Sequence, residues 1–93
     1  MIRSFACKQT AALWDNQRHK KLPTNLQQSA LRKLRLIESA IHLDDLKLPP
    51  GNRLEQLYGD RKGQHSIRIN QQYRICFHFI DGHAEDVEIV DYH

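Results

Sequence analysis

The sequence predicts an α+β fold in which an antiparallel sheet packs against two N-terminal helices, in the order β-α-α-β-β-β-β. Apolar residues recur at steps of three and four up to about residue 41, and from Leu54 onward the apolar period becomes two. Pro49, Pro50 and Gly51 separate the two halves, because they cannot continue a helix. A chain of 93 residues has room for one compact core, so we expect a single domain over residues 1–93.

The helical half begins with a short strand over residues 2–5 and a short helix over residues 8–14. Residues 18–21 are expected to form an exposed connector in which His19 is solvated. We expect Thr24 to cap a longer helix from Asn25 to about Ile41. The expected buried stripe of this helix consists of Leu26, Ala30, Leu34, Ile37 and Ile41.

The second half of the chain is predicted to form four strands. Leu54 and Leu57 frame a short one, GDRKG at 59–63 is typical of a turn, and further strands are expected over 64–69, 73–80 and 84–90. Side chains alternate between the two faces of a strand. The apolar face of the strand over 73–80 is therefore expected to face the core, with Arg74, Cys76 and His78 on the open face.

The register of the last hairpin depends on keeping carboxylates out of the core. A two-residue turn, Asp81-Gly82, would place carboxylates opposite the apolar face of the preceding strand. A three-residue loop over 81–83 opposes apolar with apolar residues instead, and we expect this register. Its pairs are Ile75 with Ile89, Phe77 with Val87 and Arg74 with Val90.

The same test on the preceding loop, over residues 70–72, predicts that Arg68 lies directly opposite Arg74 on the open face. Like charges in this position cost stability unless an anion or a carboxylate compensates for them. The pair therefore fits either a phosphate-binding site or surface salt bridges to Glu88 or Asp86. Removing Arg74 is then expected to leave folding intact or slightly improved.

The last three residues, Asp91, Tyr92 and His93, are expected to end beside the arginine pair. Cleaving RNA without a metal requires a base for the 2′-hydroxyl, cations for the phosphate charge and an acid for the leaving oxygen. A carboxylate, a phenol, an imidazole and two guanidiniums meet these requirements. The cluster fits a ribonuclease site, and the alternative is a frayed polar tail.

Charge is unevenly distributed along the chain, whose net charge is +3. Residues 1–35 carry eight Lys and Arg against one acidic residue, whereas residues 75–93 carry five acidic residues and no Lys or Arg. We expect a basic side, which favours RNA or an acidic partner, and an acidic edge. The candidate RNA-binding residues are Lys20, Lys21, Arg32, Lys33, Arg61 and Lys62.

Other site types fit the sequence less well. Cys76 and His78 are close enough to share a metal ion, but no third and fourth ligand is evident, so we expect no metal and no other cofactor. The GDRKG segment lacks the strand-loop-helix context of a nucleotide-binding glycine loop. No segment suits a membrane span or a signal peptide, so we expect a cytoplasmic protein.

The framework PPGNRLEQLYGDRKGQHSIRINQQYRICFHF, followed by VEIVDYH, resembles the HigB toxins, also called plasmid-maintenance killer proteins, of the RelE/ParE superfamily. The opening MIRSF, the GDRKGQHSIRIN segment, YRICF and DYH occur in the family order. The resemblance covers essentially the whole chain and implies a small RelE-like fold.

The resemblance also implies a function. HigB toxins are ribosome-dependent endoribonucleases that cleave translated mRNA in the A site, and a HigA-type antitoxin with a helix-turn-helix domain holds them inactive. The complex represses its own operon, so operator DNA would be contacted only through the antitoxin. By position, the resemblance assigns Arg74 to phosphate binding and Asp91, Tyr92 and His93 to catalysis.

The chain departs from the family pattern before the GDR turn. Some relatives have a histidine and a lysine where this chain has Glu55 and Tyr58. Glu55 is either the base in place of that histidine or an ion-pair partner of Arg53.

Two other functions are possible on sequence grounds. One is a ParE-like toxin that binds DNA gyrase without cleaving RNA, although the terminal DYH and Arg74 favour the nuclease. The other is an RNA-binding module, which would need exposed sheet aromatics, whereas those here alternate inward.

Overall fold

The computed structural model describes residues 1–92. In these residues two helices, α1 (Lys8–Trp14) and α2 (Gln27–Ser39), precede one antiparallel sheet of strand order β1-β2-β3-β4. The strands are β1 (Glu55–Gln56), β2 (His65–Arg68), β3 (Tyr73–Ile80) and β4 (His83–Asp91). Short 3-10 turns occupy Thr24–Leu26, Leu43–Lys47, Pro50–Asn52 and Gly59–Arg61. The predicted α+β fold is confirmed.

The two helices cover one face of the sheet. Ile75 and Phe77 of β3 are fully buried in the same cluster as Leu34 and Ile37 of α2, so the predicted core face of β3 is correct. None of the helices in residues 1–92 is long and apolar enough to cross a lipid bilayer.

The predicted opening strand is reduced to two isolated parallel bridges to β4, Ile2 with Ala84 and Phe5 with Val87. Between the bridges, the backbone N–H of Asp86 donates to the Ser4 hydroxyl instead of a backbone carbonyl. This side-chain contact interrupts the backbone ladder and explains why no continuous strand forms.

Helix α2 starts later than predicted. A 3-10 turn precedes it, and Thr24 provides no side-chain cap. The Thr24 hydroxyl accepts a hydrogen bond from Arg18.

Helix α2 also ends earlier than predicted, because the backbone is already extended at Ala40. The N–H groups of Ile41 and His42 donate to the Asp45 carboxylate and so begin the next turn. These bonds lower the pKa of Asp45. Ile41 is 70% exposed, so its predicted place in the buried stripe is wrong.

The predicted three-residue loop between β3 and β4 is also wrong. Ile80 pairs with His83, which leaves a two-residue turn, Asp81-Gly82, with positive φ at both residues as in a type I′ turn. The extra residue lies in a β-bulge, where Asp86 and Val87 together oppose Phe77 of β3. Because the bulge restores the register, the predicted pairs Ile75–Ile89 and Arg74–Val90 are confirmed.

The connector over residues 18–21 is exposed at Arg18, Lys20 and Lys21, as predicted, but it is packed at His19. His19 is only 4% exposed, contrary to prediction. Its backbone N–H donates to the Gln27 side chain, whose amide donates back to the carbonyls of His19 and Leu22. Burial lowers the pKa of His19, and the charge of Lys21 lowers it further.

Candidate active site

The candidate site lies on the sheet face away from the helices. The register confirms that Arg68 of β2 is directly opposite Arg74 of β3. Ser66 pairs with Cys76 on one side and with Glu55 on the other. Because pairing and alternation put these side chains on one face, β1, β2 and β3 present them together.

Arg74 is buried within this face rather than open to solvent. Its side chain donates from Nε to the Ser66 hydroxyl at 2.7 Å. Its terminal nitrogen donates to the carbonyl of Arg53 at 2.6 Å and to that of Ser66 at 3.3 Å. With 8% exposure, the guanidinium is fixed by the protein before any ligand arrives.

The carbonyl of Arg53 reaches Arg74 because of an unusual backbone conformation. Arg53 is left-handed, with φ 46° and ψ 55°, directly after the 3-10 turn Pro50–Asn52. A non-glycine residue in this region costs about 1–2 kcal/mol. The buried Asn52 side chain fixes the turn by donating to the carbonyls of Leu46 and Leu48. The strain at Arg53 therefore serves to orient one acceptor of the site.

Glu55 compensates for the charge of Arg74. Its carboxylate lies 3.8 Å from the guanidinium and is 45% exposed. The ion pair expected between Glu55 and Arg53 is not found among the described residues, where Glu55 pairs with Arg74 instead. The other alternative, Glu55 as the base, stays a prediction. The carboxylates predicted to compensate for the arginine pair act elsewhere: Glu88 pairs with Arg61 at 2.9 Å, and Asp86 lies 4.0 Å from His78.

Arg68 has hydrogen-bond partners different from those of Arg74. Its Nε donates to the carbonyl of Asn70 at 3.0 Å, and no carboxylate within residues 1–92 lies at ion-pair distance from it. Arg68 therefore keeps an uncompensated charge at the edge of the site. The hydrogen bonds of Arg74 and its ion pair with Glu55 argue against the expectation that removing Arg74 leaves folding intact or slightly improved.

The C-terminal residues divide between the two faces. Arg74 lies 5.8 Å from the centre of the Tyr92 ring, a cation–π distance, and Tyr92 is 39% exposed. Asp91 instead pairs with Tyr73 on the other face, and its carboxylate accepts from the Gln72 amide at 3.0 Å. His93 lies outside the described residues.

A buried thiol lies behind the site. Cys76 is fully buried, and burial raises its pKa, although Arg61 and Arg74 act in the opposite direction. A protonated thiol is a poor nucleophile, so Cys76 contributes packing rather than chemistry. No group of three or more His, Cys, Asp or Glu in residues 1–92 could hold a metal ion.

The six candidate RNA-binding residues fall into three places. Lys62 is exposed on the turn after β1. On the same turn Arg61 donates hydrogen bonds to Gln64 and Glu88, and the bond to the Glu88 carboxylate raises the pKa of Arg61. Lys20 and Lys21 are exposed, and Lys21 lines a cleft of about 330 Å³ together with Asp91 and Tyr73. Arg32 and Lys33 lie on α2.

Sequence reasoning missed two residues that hold Arg74, namely Ser66 and Arg53. The signal for Ser66 was present, because the register that opposes Arg68 to Arg74 also places Ser66 on the same face, diagonal to Arg74. The contact of Arg53 is made by its carbonyl, and no side-chain pattern indicates it.

A sequence profile of the HigB-like toxins, described as RelE-like toxins of type II toxin–antitoxin systems, matches residues 3–93. The chain is 44% identical over 70 residues to Toxin HigB-1 of Vibrio cholerae, a match covering 75% of this chain and 74% of that protein. It is 31% identical over 93 residues to Endoribonuclease HigB of Proteus vulgaris, which covers both chains fully.

Among solved structures, a chain of the YoeB-YefM complex from Staphylococcus aureus has a similar fold, with a TM-score of 0.62 and 16% identity. The similarity covers 100% of this chain and 98% of that one, and supports the RelE-like fold. The profile and the two relatives show that the chain belongs to the HigB-like family of type II toxin–antitoxin toxins.

Proposed function

We propose that the protein is a ribosome-dependent endoribonuclease that cleaves translated mRNA in the A site and thereby arrests growth. The observation that carries this proposal is the cluster of Glu55, Arg74 and Tyr92, with the uncompensated Arg68 at its edge. The relative matched over its full length is named an endoribonuclease, which supports phosphodiester cleavage over the gyrase-binding alternative.

The proposed chemistry uses the 2′-hydroxyl of the substrate as nucleophile. Glu55, exposed beside Arg74, takes the hydroxyl proton, and the oxygen attacks the adjacent phosphate to form a 2′,3′-cyclic phosphate. Arg68 contacts the phosphate as negative charge builds up on its oxygens. Arg74, buried in the same face of the sheet, orients Glu55 and Tyr92. Tyr92, which lies against Arg74, or His93 after it in the chain returns a proton to the 5′ leaving oxygen. Asp91 lies on the other face of the sheet and takes no part in this step.

Basic residues around the site would hold the flanking phosphates. Lys62 and Arg61 follow β1, whereas Lys20 and Lys21 lie on the helix side of the sheet, where Lys21 shares a cleft with Asp91 and Tyr73. Arg32 and Lys33 lie on a different surface, the outer side of α2. Contacts to successive phosphates make binding strongly salt-dependent.

The proposed partner is a HigA-like antitoxin with a helix-turn-helix domain, through which the complex represses its own operon in the cytoplasm. Membership of a toxin–antitoxin family supports an antitoxin partner, and the similar fold in the YoeB-YefM complex comes from a toxin–antitoxin pair.

The test compares purified protein on naked mRNA with the same mRNA on translating ribosomes. We expect cleavage only on ribosomes, because the site has little acid–base equipment of its own and relies on the ribosome to orient the RNA. Efficient, specific cutting of free mRNA at nanomolar protein would contradict ribosome dependence.

A further inference from the structure

The outer side of α2 carries three cations around an apolar cleft. The cleft has a volume of about 420 Å³ and is lined by Arg32, Lys33, Arg35, Leu36 and Pro49. Leu48, next to Pro49 in the chain, is 69% exposed. Apolar side chains exposed beside clustered charges are typical of an interaction surface.

The three cations lack acidic partners. Within residues 1–92, no carboxylate lies at ion-pair distance from Arg32, Lys33 or Arg35. Arg32 donates only to a serine hydroxyl, and Lys33 donates to the Asn52 side chain. Burial and the neighbouring Arg32 lower the pKa of Lys33.

The lining favours a peptide over RNA. Single-stranded RNA is bound by cations interleaved with aromatic rings on which bases stack, whereas the apolar residues that line this cleft, Leu36 and Pro49, are aliphatic, as is the exposed Leu48 next to Pro49 in the chain. Aliphatic side chains flanked by cations complement a segment that presents leucine-like and carboxylate side chains together.

We propose that this surface, comprising Arg32, Arg35, Leu36, Leu48 and Pro49, docks an acidic, leucine-bearing peptide segment of the antitoxin. The inference rests on the proposed toxin–antitoxin function and extends it by giving the antitoxin a binding surface on the helix layer. The buried side chains of α2 face the sheet, so the surface lies away from Glu55 and Arg74.

The test uses Arg32→Glu/Arg35→Glu, because both residues are exposed and have no ion pair to lose. Lys33 is left unchanged, since it holds Asn52, next to the residue whose carbonyl binds Arg74. The matched control is Lys20→Glu/Lys21→Glu. A second variant, Leu48→Ser, removes the apolar contact without changing charge.

Affinity for the antitoxin encoded by the adjacent gene is measured by calorimetry, and mRNA cleavage on ribosomes is measured in parallel. We expect the arginine variant to bind the antitoxin at least about tenfold more weakly and Leu48→Ser to bind it more weakly too, both with unchanged cleavage. The lysine control should bind the antitoxin normally.

Two results would overturn the docking surface while leaving the proposed function intact. One is antitoxin affinity equal to wild type in both the arginine and the Leu48 variants. The other is lost ribosome binding with normal antitoxin affinity, which would make the surface an RNA site. Failure of the wild-type protein to bind the adjacent gene's product would instead contradict the toxin–antitoxin assignment itself.

Discussion

Replacing Arg74 with alanine tests the geometry of the site most fully. The change removes two short hydrogen bonds from a charged donor, to the Ser66 hydroxyl at 2.7 Å and to the carbonyl of Arg53 at 2.6 Å. Such bonds contribute about 1.5–3 kcal/mol each, and a buried acceptor left without a partner carries a penalty of its own. The ion pair with the half-exposed Glu55 adds at most about 1 kcal/mol.

We therefore expect Arg74→Ala to lower the free energy of unfolding by about 3 kcal/mol. For a domain of this size that corresponds to a fall in Tm of roughly 12–24 °C. Arg74→Lys should lie between wild type and Arg74→Ala, because an ammonium keeps the charge beside Glu55 but cannot reproduce the planar fork.

The assay combines thermal unfolding with single-turnover cleavage on ribosomes, measured well below the variant's Tm. Cleavage should fall about a hundredfold or more, since the arginine orients both Glu55 and the Tyr92 ring. An unchanged or raised Tm for Arg74→Ala would refute the reasoning and would mean that repulsion from Arg68 dominates.

Four further outcomes are expected. Ser66→Ala should slow cleavage and be coupled to Arg74→Ala by about 1–2 kcal/mol in a double-mutant cycle of unfolding free energies, and additive effects would contradict their contact. Burial lowers the pKa of His19 below 6.5, so the unfolded chain binds a proton at this histidine more readily than the folded chain. The Tm should therefore fall as the pH drops below about 6.5, and it should fall less in His19→Asn. Equal slopes of Tm against pH in the two proteins would contradict this. Gly82→Ala should cost about 1–2 kcal/mol in urea unfolding, since φ there is 81° and a Cβ would lie 3.2 Å from a backbone carbonyl; an unchanged midpoint would argue against the turn. Lys20→Glu/Lys21→Glu should weaken ribosome binding and flatten its salt dependence, and an unchanged slope would exclude these lysines from phosphate contact.

The sequence predicted the sheet best where its apolar pattern is strict. Alternation in β3 identified the core face, and matching apolar partners placed Arg68 opposite Arg74 and Ile75 opposite Ile89. The predicted length of the loop between β3 and β4 was wrong because the turn sequence and the apolar pattern favoured different lengths. Asp81-Gly82 is a strong type I′ sequence, but the bulge that reconciles it with the core leaves no mark in the apolar pattern.

The burial of Arg74 could not be predicted from alternation, which only assigns it to a face. Whether a side chain on that face is exposed depends on its neighbours. Here the guanidinium of Arg74 contacts the carbonyl of Arg53 and the carboxylate of Glu55 on β1. Similarly, Ile41 fits the helical period but lies after the end of α2, where its N–H already donates to the Asp45 carboxylate of the next turn.

The central claim is that the protein cleaves mRNA by attack of the substrate's own 2′-hydroxyl. The most direct measurement uses ribosome complexes whose mRNA carries one 2′-deoxynucleotide at the cleavage position, compared with the unmodified message. We predict that the deoxy substitution abolishes cleavage at that position, whereas the unmodified message is cut to leave a 2′,3′-cyclic phosphate and a 5′-hydroxyl. Cutting of the deoxy message at the same position and rate would contradict it.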